Sequence, residues 1–129
     1  MLTGCAAMSP IKPVVLVVED DLLLLVDARM ALEDAGFDVI EASDAEAALR
    51  QFMTRTDIAA IVSDVSMPGA IDGIGLARAA RALKPQLPIV LTTGMADTPD
   101  APDGVRILLK PYRAWQLAEQ IGPAELRVA

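Results

Sequence analysis

The chain has 129 residues, 53% of them apolar, enough for one hydrophobic core and too short for two ordinary domains. Eighteen acidic residues against eleven basic ones leave a formal charge of -7, and the bases are scattered, so direct binding to nucleic acid or to an anionic membrane surface is disfavoured. The absence of histidine removes imidazole acid–base catalysis, imidazole metal sites and phosphohistidine donation, and the single cysteine, Cys5, cannot close an internal disulfide.

Residues 1–12 are expected to form a flexible N-terminal tail, with Met8 as an alternative natural start. Leu2-Thr3-Gly4-Cys5 is similar to the pattern before a lipidated cysteine, but neither a basic segment nor an apolar stretch of signal-peptide length precedes it. No apolar run reaches the roughly 20 residues of a membrane helix, so a soluble, cytoplasmic protein is expected.

The continuous apolar run 14–18 is too short for a helix and suits a central strand. Asp21 can cap a helix to about residue 35, where Gly36 supplies the stop. A short strand is predicted at 37–41. Ser43-Asp44-Ala45-Glu46 has capping-box spacing and opens a helix to about residue 53. A third strand is predicted at 58–63, and 72–83 has helical periodicity, with Ile74, Leu76, Ala79, Ala80 and Leu83 available for a packed face and Asp72 as its cap. Strands follow at 89–92 and 105–109. Between them, the two prolines and three aspartates of 94–104 leave room for a turn of helix at most. A last helix is predicted at 112–121, anchored by Tyr112 and Trp115. Strand alternates with helix throughout, which argues for one α/β domain over 13–123, with an open, mostly parallel sheet covered by helices on both faces and a tail at 124–129.

Ligands bind such a sheet at the C-terminal ends of its strands. Glu19 and Asp20 follow the first strand, Asp64 the third, Thr93 the fourth and Lys110 the fifth. Converging carboxylates repel unless a cation sits between them. An oxygen-only donor set suits Mg²⁺, with Asp20 and Asp64 as direct ligands and Glu19 acting through water. Thr93 and Lys110 complete a receptor for phosphoryl oxygens, and the Asp64 carboxylate is the candidate nucleophile. Two other readings remain open here. A phosphatase-like hydrolase would normally carry a second aspartate two residues after the nucleophile, where this chain has Ser66, and an acidic-rim binding module would hold no phosphoryl group.

VVEDD, IVSDVSMP, IVLTTG and ILLKPY, in this order at strand ends, resemble the receiver domain of bacterial two-component response regulators over about residues 14–122. The resemblance implies a doubly wound, flavodoxin-like sheet of five parallel strands in the order 2-1-3-4-5. It implies Asp64 as phosphoacceptor, Glu19 and Asp20 as organisers of Mg²⁺, the backbone carbonyl of Ser66 as a further ligand, Thr93 as switch hydroxyl and Lys110 as phosphoryl contact. It also implies a histidine kinase or histidine phosphotransfer protein as donor, a protein as downstream partner, a switch rather than a turnover enzyme, and a monomer or weak dimer. Three departures stand out. MPGAIDG is one residue longer than the usual loop beside the acceptor, Ile107 replaces the usual aromatic residue three positions before the lysine, and 94–104 is short where a fourth helix is usual. Finally, Leu22 to Val26 cannot all face the core of one helix, so an apolar patch is expected beside the acceptor, suited to docking the donor's helical bundle.

Overall fold

The computed structural model describes residues 11–95 and 100–124. The expected N-terminal tail lies almost wholly outside them. The elements in chain order are β1 (Val14–Val18), α1 (Leu22–Asp34), β2 (Asp38–Ala42), α2 (Ala45–Thr54), β3 (Ile58–Asp64), α3 (Gly73–Leu83), β4 (Ile89–Thr93), β5 (Arg106–Leu109) and α4 (Trp115–Ile121). The five strands form one sheet in the order β2-β1-β3-β4-β5, and every neighbouring pair is parallel. The chain therefore has the flavodoxin-like order that the motifs imply.

All five residues of β1 are buried because both faces of the sheet are covered. Val14, Leu16 and Val18 face a core built with α2 and α3, including Ala48, Phe52, Leu76 and Ala80. Val15 and Val17 face a second core built with α1 and α4, including Leu25, Leu32, Leu117 and Ile121. This two-sided burial explains a strand that is apolar throughout instead of alternating. Ala124, in the segment expected as a C-terminal tail, is buried in the second core, and its Cβ lies 3.3 Å from where a Cβ on Gly36 would stand. Gly36 has φ +99°, so it ends α1 in a conformation other residues rarely adopt.

The caps follow side-chain chemistry. Asp21 accepts hydrogen bonds from the amides of Leu23 and Leu24, and Asp72 accepts one from Gly75. At α2 the pattern differs from the predicted capping box. Asp44, not Ser43, is the cap, accepting from Ala47 at 2.7 Å, and Glu46 turns away to another partner. An extended Asp44 aims its carboxylate at the amide of the third helical residue, leaving Glu46 free of capping. The second strand starts one residue later than predicted. The last helix starts three residues later, at Trp115, because the Gln116 side chain accepts the Arg113 amide at 2.7 Å and sets the first turn there. Tyr112 does pack against the second core, whereas Trp115 is 56% exposed and lies outside both cores. No helix lies between β4 and β5 among the described residues, and 100–104 contains turns.

Candidate functional site

The strands' C-terminal ends share one rim, and backbone bonds hold their continuations together. The Glu19 amide donates to Ala42, Val65 to Thr92 and Lys110 to Thr93. Glu19 and Asp20 leave β1, Asp64 ends β3, Thr93 ends β4, and Lys110 follows β5. In register, Asp64 sits beside Thr92, so Thr93 is one residue further along the neighbouring strand.

One carboxylate oxygen from each of Glu19, Asp20 and Asp64 lies within 4.8 Å of the other two. Glu19 and Asp64 are only 6% and 8% exposed, whereas Asp20 is open to solvent. Lys110 Nζ donates to Asp64 Oδ2 at 2.9 Å, and the Ser66 amide approaches Asp64 Oδ1 at 3.3 Å. Both acceptor oxygens are thus held by donors. Thr93 is buried, and its Oγ1 accepts the Met95 amide at 3.1 Å. Lys110 and Pro111 are joined by a cis peptide bond.

Burial raises the Glu19 pKa; the Asp21 amide opposes this, while the Asp64 charge adds to it and Lys110 relieves it. Burial alone lowers the Lys110 pKa, but its hydrogen bond and charge interaction with Asp64 offset that and leave it above the usual lysine value. Burial, then the Glu19 charge, raises the Tyr112 pKa, and a hydrogen bond to Thr92 opposes the rise. One lysine cannot neutralise three clustered carboxylates. The oxygen-only donor set, two of its members buried, fits a hard divalent cation.

A measurable consequence is that ionised Glu19 opposes folding when no cation is bound. Its folded-state pKa lies above its unfolded value, so its favourable contribution is complete below the unfolded value and disappears as pH rises through the folded one. At neutral pH without divalent ions, Glu19→Gln should therefore raise the thermal midpoint. Thermal melts at pH 7 and pH 4 check the sign, with the gain shrinking at the lower pH.

Two contacts are harder to see in the sequence. A Cβ at Gly73 would stand 2.1 Å from the Asp64 carbonyl oxygen and 2.9 Å from its carbon, so α3 approaches the Asp64 backbone at a distance only glycine permits. The available signal is a glycine in the first turn of a helix, where alanine is favoured by about 1 kcal/mol. The second is the partner of Glu46, whose Oε1 accepts the Ala70 amide at 3.1 Å from across the elongated loop.

A family model described as the response regulator receiver domain matches residues 15–121. The chain belongs to the receiver family. This receiver is 37% identical over 119 residues to the C4-dicarboxylate transport transcriptional regulatory protein DctD of Rhizobium meliloti (strain 1021), a match covering 88% of the chain and 25% of that protein. It is 31% identical over 112 residues to the response regulator receiver protein CpdR of Brucella abortus (strain 2308), covering 83% of the chain and 92% of that protein. Among solved structures, a response regulator receiver protein from Sinorhizobium medicae WSM419 superposes with a TM-score of 0.81 at 30% identity, covering 88% of this chain and 94% of that one. The matches to DctD, FixJ and PrrA span only 25%, 54% and 48% of those longer regulators. Within the receiver, Ile107 is half-buried against the first core, in the position where an aromatic residue is usual. Among the described residues, no helix is long and apolar enough to cross a membrane.

Proposed function

We propose that this receiver takes a phosphoryl group from a phosphohistidine donor onto Asp64 and later loses it to water, signalling through contacts with another protein. The observation that carries this reading is a carboxylate bonded to Lys110 at 2.9 Å inside a cluster of three acidic side chains at the strand ends. Glu19, Asp20 and Asp64, with the Ser66 carbonyl, are the residues that would hold Mg²⁺. When bound there, Mg²⁺ supplies charge neutralisation for the oxygens of the incoming phosphoryl group.

The chain's own groups do the rest. A carboxylate oxygen of Asp64 forms a bond to phosphorus as the phosphorus–nitrogen bond of the donor breaks, and the departing imidazole keeps the electron pair. Lys110 exchanges its contact with Asp64 for one with a phosphoryl oxygen, holding positive charge where negative charge accumulates. Hydrolysis at phosphorus then releases inorganic phosphate and restores the carboxylate, so no external substrate is turned over. Thr93 can donate its hydroxyl proton to the phosphoryl group while the same oxygen still accepts the Met95 amide, linking the added charge of about −1.5 to −2 to the segment after β4. With Ile107 in place of an aromatic ring, the response is read in that segment, with Ile107 repacking modestly.

Incubation with a small phosphodonor and Mg²⁺ should add the mass of one phosphoryl group to the intact chain, and chelation of the metal should abolish the gain. Metal-independent uptake would contradict the assigned ion site.

The donor's docking surface is assigned to α1. Leu25, Ala28 and Leu32 point inward, leaving Leu22, Leu23, Val26 and Met30 exposed on the outer side of the helix beside the acceptor rim. Leu23 is 77% exposed, so a polar substitution there costs the fold little. Leu23→Glu should slow transfer from whichever phosphohistidine protein phosphorylates the wild type by about tenfold or more, since burying one leucine is worth ~1.5–3 kcal/mol. Uptake from the small donor should not change, and parallel time courses by phosphate-affinity gel would separate the two effects.

A further inference from the structure

The loop MPGAIDG carries one residue more than is usual between the acceptor strand and α3, and an elongated loop needs something to define its path. Among the described residues, the only hydrogen bond from residues 67–71 to a helix or strand is the one from the Ala70 amide to Glu46 Oε1 in the first turn of α2. Gly69 precedes it with φ +117°, and a Cβ there would stand 2.9 Å from that same Oε1. A left-handed glycine, an amide aimed outward and a carboxylate freed from capping its own helix therefore meet at one point. Asp44 caps α2 without help, so Glu46 is not needed there.

We propose that Glu46 is a positioning residue that latches the elongated loop to α2 and so fixes the backbone of Ser66, four residues before Ala70, for its carbonyl to face the cation. This rests on the reading of Ser66 as a magnesium ligand. Glu46 touches neither the cation nor the phosphoryl group; it acts through the peptide chain between Ala70 and Ser66. The loop has weak internal support, since Met67 and Ile71 are only half-buried against the first core, and a loop with few anchors samples more of its conformations.

The test uses the full chain, with calorimetric titration of Mg²⁺ and hydrogen exchange at the Ala70 amide for wild type, Glu46→Ala and Glu46→Gln. Both variants remove the same charge at the same place, so a general electrostatic effect on the cation is identical in the two. Only glutamine keeps an oxygen that can accept the Ala70 amide, and alanine is the best helix former, so neither variant should unfold α2. Glu46→Ala should weaken magnesium binding by about three- to tenfold and speed exchange at Ala70, as expected for loss of one hydrogen bond. Glu46→Gln should stay within about twofold of the wild type in both measurements. Equal behaviour of the two variants would overturn the latch while leaving the magnesium site in place. A wild type that binds no magnesium would remove the metal reading itself and the latch with it.

Discussion

Asp64→Asn should yield a folded chain that incorporates no phosphoryl group from any donor, a loss limited only by the sensitivity of the mass measurement. The amide has no nucleophilic oxygen able to form an acyl phosphate, and among the described residues no other carboxylate is held in the same way between a lysine and a backbone amide. Its effect on stability should be small. The substitution removes the Lys110 ion pair, but it also removes one of two buried negative charges facing each other at the rim. Its neutral oxygen can still accept from Lys110 at reduced strength. Circular dichroism and thermal melts of the variant, run beside the phosphorylation assay, distinguish loss of the nucleophile from loss of the fold.

Gly73→Ala is expected to be the most damaging single methyl group that can be added near the site. The new Cβ would meet the Asp64 carbonyl oxygen at 2.1 Å, its carbon at 2.9 Å and Val65 Cα at 3.0 Å, all backbone atoms that cannot rotate aside. Either the end of β3 or the start of α3 must move by about 1 Å. Overpacking of this kind costs ~1–3 kcal/mol or more, and a displacement of that size at a reacting group lowers its rate by about a hundredfold. The thermal midpoint should fall by several degrees, with phosphoryl uptake reduced far more than the residual stability explains. Gly75→Ala is the control. Its closest contact is the Ile71 side chain at 3.3 Å, and within a helix alanine is favoured over glycine, so stability should change by no more than about 1 kcal/mol.

The contrast between these two glycines marks what could be read from the residues alone. Interactions written within a few residues of chain were legible. The apolar run of β1, the Asp21 and Asp72 caps and the stop at Gly36 stand where their local chemistry predicts. The placement of the rim was legible for a different reason, since a parallel sheet brings every strand's C-terminal end to one edge, and Glu19, Asp20, Asp64, Thr93 and Lys110 fall at those ends. Contacts made across the fold were not legible. Glu46 satisfies the spacing of a capping box, yet the tertiary approach of the 67–71 loop offers its carboxylate a better use. The start of α4 was hidden because the Gln116 side chain, and not the proline before it, sets the first turn. Trp115 illustrates the limit of composition, because a large aromatic residue at a helix start is placed inside or outside by the neighbouring surface.

The central claim is that Asp64 carries the phosphoryl group. Borohydride reduction of the phosphorylated wild-type chain, which converts an aspartyl phosphate to homoserine, followed by peptide sequencing in the mass spectrometer, tests it most directly. Homoserine at position 64 alone is the predicted result. Homoserine at Glu19's neighbour Asp20, or a reduction-resistant phosphate on Ser66 or Thr93, would contradict it.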